Sequence, residues 1–272
     1  MTRRETVDVG GVSYLTAGEG SPLVLLLHGT YWSRVWQPVL DGIATAGLRP
    51  VAVDFPGFGR SGGELTLSEA SVPRLSAWLV HFLEALGHRG PVMVAGHDIG
   101  GGVAQHLALA GTVEVPRVAV VNGTMYDSWP VPGVARFRDP AVAAATTRDD
   151  VLAARRVSVV KALGRPASEA EIAGYLDPWT DPRVTRSWLA LAGAADHRYT
   201  MEMLPALLQS KMPKLLVWGV DDGFQTLDYA ERYAREIPET RLVRIKSAGH
   251  IPMENDPKAV AGALAEFFAA KQ

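Results

Sequence analysis

Short runs of apolar residues alternate with longer segments of helical periodicity along most of the chain. Such runs, bounded by glycine, proline or polar residues, are typical of buried strands, and the segments between them favour helices. The predicted strands are an opening hairpin at Val7–Val9 and Val12–Leu15, then 23–27, 50–53, 92–95, 118–121, 214–218 and 241–245. Predicted helices cover 68–86, 101–110 and 257–270. This alternation predicts an α/β protein with a mostly parallel, eight-stranded sheet flanked by helices.

The alternation stops between residues 123 and 212. This stretch contains no buried-strand run, and its helical segments are interrupted by seven prolines, at Pro130, Pro132, Pro140, Pro166, Pro178, Pro182 and Pro205. A parallel sheet that is interrupted by so long a helical stretch is typical of a core with an inserted subdomain. We therefore predict a core formed by residues 1–122 and 213–272, and a helical cap formed by residues 123–212.

Composition narrows the possible functions. The hydrophobic content of 47% is ordinary for a globular enzyme, and a net charge of −2 gives no reason to expect nucleic acid or a membrane as a partner. The absence of cysteine excludes disulfides, thiolate metal sites and a cysteine nucleophile. The first residues show no signal-peptide pattern, so we expect a cytoplasmic protein. The sequence provides no prediction of oligomeric state.

Residues Gly96-His97-Asp98-Ile99-Gly100 follow a predicted strand and precede a helix rich in small residues. They match the nucleophile turn G-x-S-x-G, with aspartate in the place of serine. An aspartate carboxylate is ionised at neutral pH and needs no base to activate it. Its attack on a carbonyl would form a high-energy anhydride, whereas attack on a saturated carbon with a leaving group forms an ester. The turn therefore predicts displacement at an alkyl carbon.

Other predicted strand ends supply the groups that this chemistry needs. His250 follows the last strand and is the expected base, because water must be deprotonated to cleave the ester. Asp222 is the expected acid that orients this histidine, with Asp221 as the alternative. The backbone N–H groups of Thr30 and Ile99 are expected to form an oxyanion hole.

These motifs together resemble the α/β-hydrolase fold, in its aspartate-nucleophile branch of epoxide hydrolases and haloalkane or haloacetate dehalogenases. The resemblance is carried by His28-Gly29, Asp54-Phe55-Pro56-Gly57-Phe58-Gly59-Arg60-Ser61, the turn at 96–100, Trp218-Gly219-Val220-Asp221-Asp222 and Ala248-Gly249-His250-Ile251-Pro252. It implies a hydrolase that acts through a covalent ester and uses no metal or organic cofactor. The loop His28-Gly29-Thr30-Tyr31 departs from the family by lacking the usual proline.

The resemblance leaves two reactions open. Haloalkane dehalogenases hold the halide with a tryptophan after the nucleophile and a second donor, often an asparagine, but those positions are Ile99 and Thr30 here. Haloacetate dehalogenases bind the substrate carboxylate with arginines after the nucleophile, and Ile99 and Val103 supply none. Substitute halide donors would have to come from other tryptophans, namely Trp32, Trp129, Trp179 or Trp188.

Epoxide hydrolases need instead a proton donor for the ring oxygen, usually a tyrosine of the cap. Tyr199 is the first candidate, followed by Tyr175, and His197 is a further one. Epoxide hydrolysis is therefore the leading hypothesis and dehalogenation the second. A tailoring enzyme that uses Asp98 as a base and a non-catalytic ligand-binding protein are the remaining alternatives.

The loops and the cap are rich in large aromatic residues. Tyr31, Trp32 and Trp129 are expected to line a pocket between core and cap. Such a lining predicts a small, mainly apolar organic substrate.

Overall fold

The computed structural model describes residues 1–7 and 10–270, and eight strands in them form one sheet. The strands are β1 (Arg3–Val7), β2 (Val12–Thr16), β3 (Leu23–Leu27), β4 (Arg49–Val53), β5 (Val92–Asp98), β6 (Val118–Gly123), β7 (Lys214–Gly219) and β8 (Thr240–Ile245). Their order is β1-β2-β4-β3-β5-β6-β7-β8, with β2 antiparallel to both neighbours and all other pairs parallel. The prediction of a mostly parallel, eight-stranded sheet is confirmed.

The central strands are buried on both faces. In β3, Leu23, Leu25 and Leu27 belong to one apolar cluster, and Val24 and Leu26 belong to another on the opposite face. Side chains alternate across a strand, so a strand covered by helices on both sides must be apolar at every position. This double burial explains why unbroken apolar runs located the central strands in the sequence.

The first strand begins earlier than the sequence pattern indicates. The hairpin pairs Arg3 with Thr16 and Val7 with Val12, whereas the predicted strand starts at Val7 and reaches Val9, which lies outside the described residues. β1 is at the edge of the sheet, and its side chains alternate between half-buried and exposed. Polar residues are therefore tolerated along it, and an apolar-run criterion misses its start.

The described residues also form thirteen α-helices. They are α1 (Gln37–Ala44), α2 (Val72–Ala85), α3 (Ile99–Ala110), α4 (Pro132–Ala135), α5 (Pro140–Ala145), α6 (Arg148–Leu163), α7 (Glu169–Leu176), α8 (Pro182–Ala194), α9 (Arg198–Glu202), α10 (Leu204–Gln209), α11 (Leu227–Glu236), α12 (Pro252–Asn255) and α13 (Pro257–Ala269). Helix α2 starts at Val72, later than the predicted residue 68, with Pro73 in its first turn. Helix α3 follows Asp98 directly and so begins two residues before the predicted start at 101.

Residues 124–213, here called the insertion, connect β6 to β7 and contain helices α4 to α10 but no strand. One apolar cluster runs from the sheet into the insertion. It contains Phe55 and Ile99 of the core together with Phe137, Trp179 and Trp188 of the insertion. The insertion is therefore packed on the core by shared apolar burial.

The return of the chain from the insertion to the sheet is held by a buried lysine. Lys214 Nζ donates to the carbonyl oxygens of Ser210 (3.1 Å), Met212 (2.7 Å) and Pro238 (3.1 Å). Burial lowers the pKa of this amine, although the charge of Glu239 opposes the shift.

We expect Lys214→Met to destabilise the fold by about 1–3 kcal/mol, since buried carbonyls lose their donor. The free energy of unfolding measured by urea titration tests this. Lys211→Met is the matched control, because Lys211 is exposed, and its effect should be within about 0.5 kcal/mol. Equal stabilities of the two variants would show that the three hydrogen bonds contribute nothing.

Candidate active site

The candidate nucleophile Asp98 lies on the sharp turn between β5 and α3. Its φ of 56° and ψ of −130° are values that residues other than glycine rarely adopt. A Cβ on Gly96 would lie 2.0 Å from the carbonyl oxygen of Gly100, and a Cβ on Gly100 would lie 2.7 Å from those of Leu27 and His28. Both glycines are therefore required for the turn, which presents the Asp98 side chain at the carboxyl end of the parallel strands.

One oxygen of the Asp98 carboxylate is held by Thr30. Oδ2 accepts hydrogen bonds from Thr30 N (3.0 Å) and Thr30 Oγ1 (2.7 Å). In the described part of the chain, Ile99 N makes no hydrogen bond to the carboxylate, although both groups adjoin Gly29. A Cβ on Gly29 would lie 2.5 Å from Ile99 N and 2.9 Å from Asp98 Oδ2. The predicted hole thus contains a hydroxyl donor that the sequence analysis did not foresee.

His250 faces the other oxygen of the carboxylate. Its Nε2 is 4.0 Å from Asp98 Oδ1, and its Nδ1 is 2.8 Å from Asp222 Oδ2. Asp221, the alternative acid, is exposed. Burial opposes protonation of His250, but the charges of Asp222 and Asp98 and the hydrogen bond that His250 donates to Asp222 outweigh it and raise the pKa of His250.

Asn122, at the end of β6, is a polar partner of this pair that the sequence analysis missed. Its Nδ2 donates to Asp222 Oδ2 (2.7 Å), and its Oδ1 accepts from Gly219 N (2.8 Å). Burial raises the pKa of Asp222, but the charge and hydrogen bond of His250 and the bonds from Phe224 N and Asn122 more than offset this, so the net pKa is lowered. The sequence did carry a signal for Asn122, namely a polar residue at the end of an otherwise apolar strand.

His97, beside the candidate nucleophile, packs under the base. Its ring centroid lies 4.8 Å from that of His250, and its Nε2 donates to the His250 carbonyl oxygen at 2.8 Å. Burial, followed by the charge of His250, lowers the pKa of His97 to about 4. His97 is therefore a neutral ring at physiological pH and fixes the position of the His250 backbone.

A cavity of about 530 Å³ opens onto Asp98 and His250. Core loops form one side of it and the insertion forms the other. Aromatic rings make up much of the lining, from Tyr31, Trp129, Phe137, Trp188 and Phe224. Three basic side chains also line it, namely Arg136, Arg155 and Lys161. The cavity lining is thus mainly apolar, with three basic side chains placed among the apolar residues.

Several predicted site residues lie outside this cavity. Tyr175 is buried against the core, and its hydroxyl donates to Glu254 Oε1 at 2.7 Å. The hydroxyl of Tyr199 accepts from Arg198, and His197 is exposed. Trp32 packs between the guanidinium groups of two arginines, Arg4 and Arg60, away from the cavity. Tyr175, His197 and Tyr199 thus do not line the cavity, which corrects the prediction of these three residues as proton donors.

Two of the predicted aromatic residues, Tyr31 and Trp129, do line the cavity, and Trp188 joins them. The indole N–H of Trp129 is already used, since it donates to Thr200 Oγ1 at 2.8 Å. The indole N–H of Trp188 is buried and has no hydrogen-bond partner among the described residues. Burial raises the pKa of Tyr31 well above its ordinary value, against the opposing charge of Arg155.

Residues 1–7 and 10–270 contain neither a metal-binding cluster nor a membrane-spanning helix. They contain no cluster of three or more His, Cys, Asp or Glu side chains placed to hold a metal ion. None of their helices is both long enough and apolar enough to span a membrane.

Comparison with known proteins places the chain in a family. The model of the alpha/beta hydrolase family matches residues 24–263. The chain belongs to the alpha/beta hydrolase family. This match confirms the fold class that the sequence motifs indicated and the expectation of a hydrolase.

Individual relatives of this α/β hydrolase carry two activities in their names. The chain is 26% identical to epoxide hydrolase A of Mycobacterium tuberculosis, over 96% of this chain and 95% of that one. It is 31% identical to the haloalkane dehalogenase of Mycolicibacterium paratuberculosis, over 66% and 59% respectively. Its fold is similar to that of a haloalkane dehalogenase from Bradyrhizobium elkani, with a TM-score of 0.81, 23% identity and coverage of 99% and 97%.

The electrostatics of the His250–Asp222 pair in this α/β hydrolase predict a measurable titration. We expect the pKa of His250 to lie above 6.5, and Asp222→Asn to lower it, because the protonated ring loses its anionic partner while burial remains. Titration of the imidazole Cε1–H signal by NMR measures both values. Asp221→Asn is the control and should leave the pKa of His250 nearly unchanged; a similar fall in both variants would contradict the pairing.

Proposed function

We propose that this hydrolase opens epoxides by forming a covalent ester on Asp98, which His250-activated water then cleaves to release a diol. The arrangement of the Asp98 carboxylate carries the proposal. Thr30 holds Oδ2, and Oδ1 faces both the cavity and His250. A carboxylate that is fixed by one oxygen is oriented to attack with the other.

In the first step, Asp98 Oδ1 forms a bond to a ring carbon while the bond from that carbon to the ring oxygen breaks. The electron pair of the broken bond goes to the oxygen, which needs a proton because an alkoxide is a poor leaving group. The products of this step are a hydroxyalkyl ester on Asp98 and the conjugate base of the proton donor.

Tyr31 is our proposed proton donor, in place of the three residues that lie outside the cavity. It is the only tyrosine among the described cavity-lining residues. Burial keeps its phenol protonated, and the positive charge of Arg155 opposes that shift in pKa and would stabilise the phenolate once the proton has left. A phenol donor is thereby available in the cavity that Asp98 also lines.

In the second step, His250 takes a proton from water, and the resulting hydroxide attacks the ester carbonyl carbon. The negative charge of the tetrahedral species develops on the oxygen beside Thr30, where two donors already point. Collapse breaks the acyl–oxygen bond, the diol oxygen takes a proton, and Asp98 is again a carboxylate. The proton balance closes when His250 and Tyr31 return to their starting states through solvent.

We further propose that the insertion acts as a cap on the active site. Its residues form one side of the cavity, and the core contributes the reacting groups on the other. Enclosure of a small organic substrate between them limits the access of bulk water and strengthens the charge interactions of the site. The names of the two relatives, an epoxide hydrolase and a haloalkane dehalogenase, support small organic substrates.

Dehalogenation is the second candidate, and one observation favours it. Trp188 lines the cavity, and its buried indole N–H lacks a hydrogen-bond partner among the described residues. A departing halide would supply the missing acceptor. Asp98, His250 and Asp222 would have the same roles in that reaction, and only the leaving group would differ.

The covalent step predicts labelling of the protein. Under single turnover of an epoxide in heavy-oxygen water, we expect one heavy oxygen in the Asp98 carboxylate, detected by peptide mass spectrometry. Asp98→Ala should reduce turnover by about 10⁴-fold or more, and His250→Gln should accumulate the ester.

Label in the diol but none in Asp98 would exclude the covalent route and favour Asp98 as a base. Ligand binding that survives Asp98→Ala, with no turnover of any epoxide or haloalkane, would favour a binding protein instead.

The leaving group is tested by two matched aromatic variants. Tyr31→Phe should lower kcat on epoxides by about 10²-fold or more, because the ring oxygen loses its proton donor. Trp188→Phe should affect epoxides far less, and should slow halide release from bromoalkanes if halide is the leaving group. Comparison of steady-state kinetics on both substrate classes separates the two reactions. Full epoxide activity in Tyr31→Phe would exclude Tyr31 as the acid.

A further inference from the structure

Arg155 brings a buried positive charge into the cavity. Arg155 lies on α6, is 5% exposed and lines the cavity that opens onto Asp98. An arginine guanidinium stays charged at all physiological pH values. Its Nε and Nη2 atoms are buried and have no hydrogen-bond partner within residues 1–7 and 10–270, and no described carboxylate forms an ion pair with it.

Aromatic rings surround the Arg155 side chain, and the hydroxyl of Tyr31 interacts with its guanidinium, but Nε and Nη2 keep no hydrogen-bond partner among the described residues. The guanidinium carbon of Arg155 lies 4.8 Å from the ring centroid of Tyr31, 5.1 Å from that of Trp179 and 5.8 Å from that of Trp188. Such rings attract a cation through their faces, which fixes its position. They accept no in-plane N–H bond of ordinary strength, so two buried donors remain open, and unsatisfied buried donors are rare in native proteins.

The charge of the cavity lining is unbalanced. Asp98 is its only carboxylate among the described residues, whereas Arg155, Arg136 and Lys161 are basic side chains. Asp98 Oδ2 is already bound by Thr30, and its Oδ1 faces His250. The lining therefore has an excess of positive charge that a negatively charged ligand would neutralise.

The two open atoms belong to one edge of the guanidinium. Nε and Nη2 form the pair of parallel donors that matches the two oxygens of a carboxylate. Elsewhere in this chain, Arg186 uses the same pair to hold the carboxylate of Glu64, with Nε–Oε1 at 2.8 Å and Nη2–Oε2 at 2.6 Å. Arg155 presents the same edge with no such partner.

We propose that Arg155 binds a carboxylate of the substrate through this edge, so that the substrate is a small epoxide with an anionic end. That the substrate is an epoxide rests on the proposed function, whereas the anion site at Arg155 does not. The aromatic lining takes the apolar body of the substrate, and Arg155 fixes its orientation relative to Asp98. The substrate class thus changes from mainly apolar to amphiphilic.

Turnover of a matched substrate pair tests the proposal. We expect kcat/KM for 3-phenylglycidate to exceed that for the neutral 3-phenylglycidamide by about tenfold to hundredfold, mainly through KM. Arg155→Met should make kcat/KM for the acid and the amide equal, while the loss of its charge beside Tyr31 lowers kcat for both substrates alike. Arg155→Lys keeps the charge but loses the paired donors, and should retain a small part of the preference. It also provides a second test if the Met variant does not fold, which circular dichroism reports.

The control is Arg156→Met, the same charge change at the next position of α6. Arg156 is exposed and pairs with Glu169 at the surface, so the preference for the carboxylate should persist in this variant. Equal kcat/KM for acid and amide in the wild type, or an undiminished preference in Arg155→Met, would overturn the proposal.

Binding measured without turnover separates this proposal from the reaction itself. By calorimetry, phenylacetate should bind the wild type and Arg156→Met at least tenfold more tightly than phenylacetamide, and Arg155→Met should show no such difference. Arg155-dependent binding of phenylacetate without epoxide turnover would sustain the anion site while rejecting the proposed function. Arg155-dependent binding of bromide with no discrimination between phenylacetate and its amide would instead assign Arg155 to a leaving halide, and the proposal would fail.

Discussion

The close approach of three backbone segments at the Asp98 turn is the constraint on which the site depends. Gly96, Gly100 and Gly29 lie where any Cβ would collide with neighbouring backbone or with the carboxylate. Their lack of side chains lets β5 turn into α3 within one residue and lets the Thr30 loop reach Asp98 Oδ2. The cost of the unusual Asp98 backbone is met by packing of the surrounding sheet and helix.

Around this turn, buried charged and polar groups depend on one another. The Asp222 carboxylate accepts a hydrogen bond from His250 and raises the pKa of that histidine. Asn122 Nδ2 and Phe224 N in turn donate hydrogen bonds to Asp222. Each partner offsets the desolvation of the next, so the removal of one leaves another unsatisfied in a medium of low dielectric. Arg155 is the exception, because aromatic faces surround it and its Nε and Nη2 atoms have no hydrogen-bond acceptor among the described residues. This difference distinguishes Arg155 from the hydrogen-bonded groups around His250.

Much of the fold was predictable, because the central strands are apolar on both faces and their ends carry the turn motifs. The edge strand was predictable in part only, since solvent accepts the polar residues at Arg3–Val7. In the site, motifs at strand ends indicated Asp98 and His250, which parallel topology brings to one edge of the sheet. The site residues of the insertion were predicted poorly. Tyr175 and Tyr199 were expected to face the substrate but lie outside the cavity, and Arg155, which lines it, was not predicted.

The sequence by itself determined that an ionised carboxylate stands where a serine nucleophile is expected, and in which order its partners follow along the chain. Local chemistry suffices for that, because the turn motif is contiguous and its glycines are specific. Only the tertiary structure decided which side chains of the insertion face Asp98. The packing of α6, α7 and α8 on the core sets the rotation of each helix, and a helical period identifies an apolar face without telling which part of it meets the cavity.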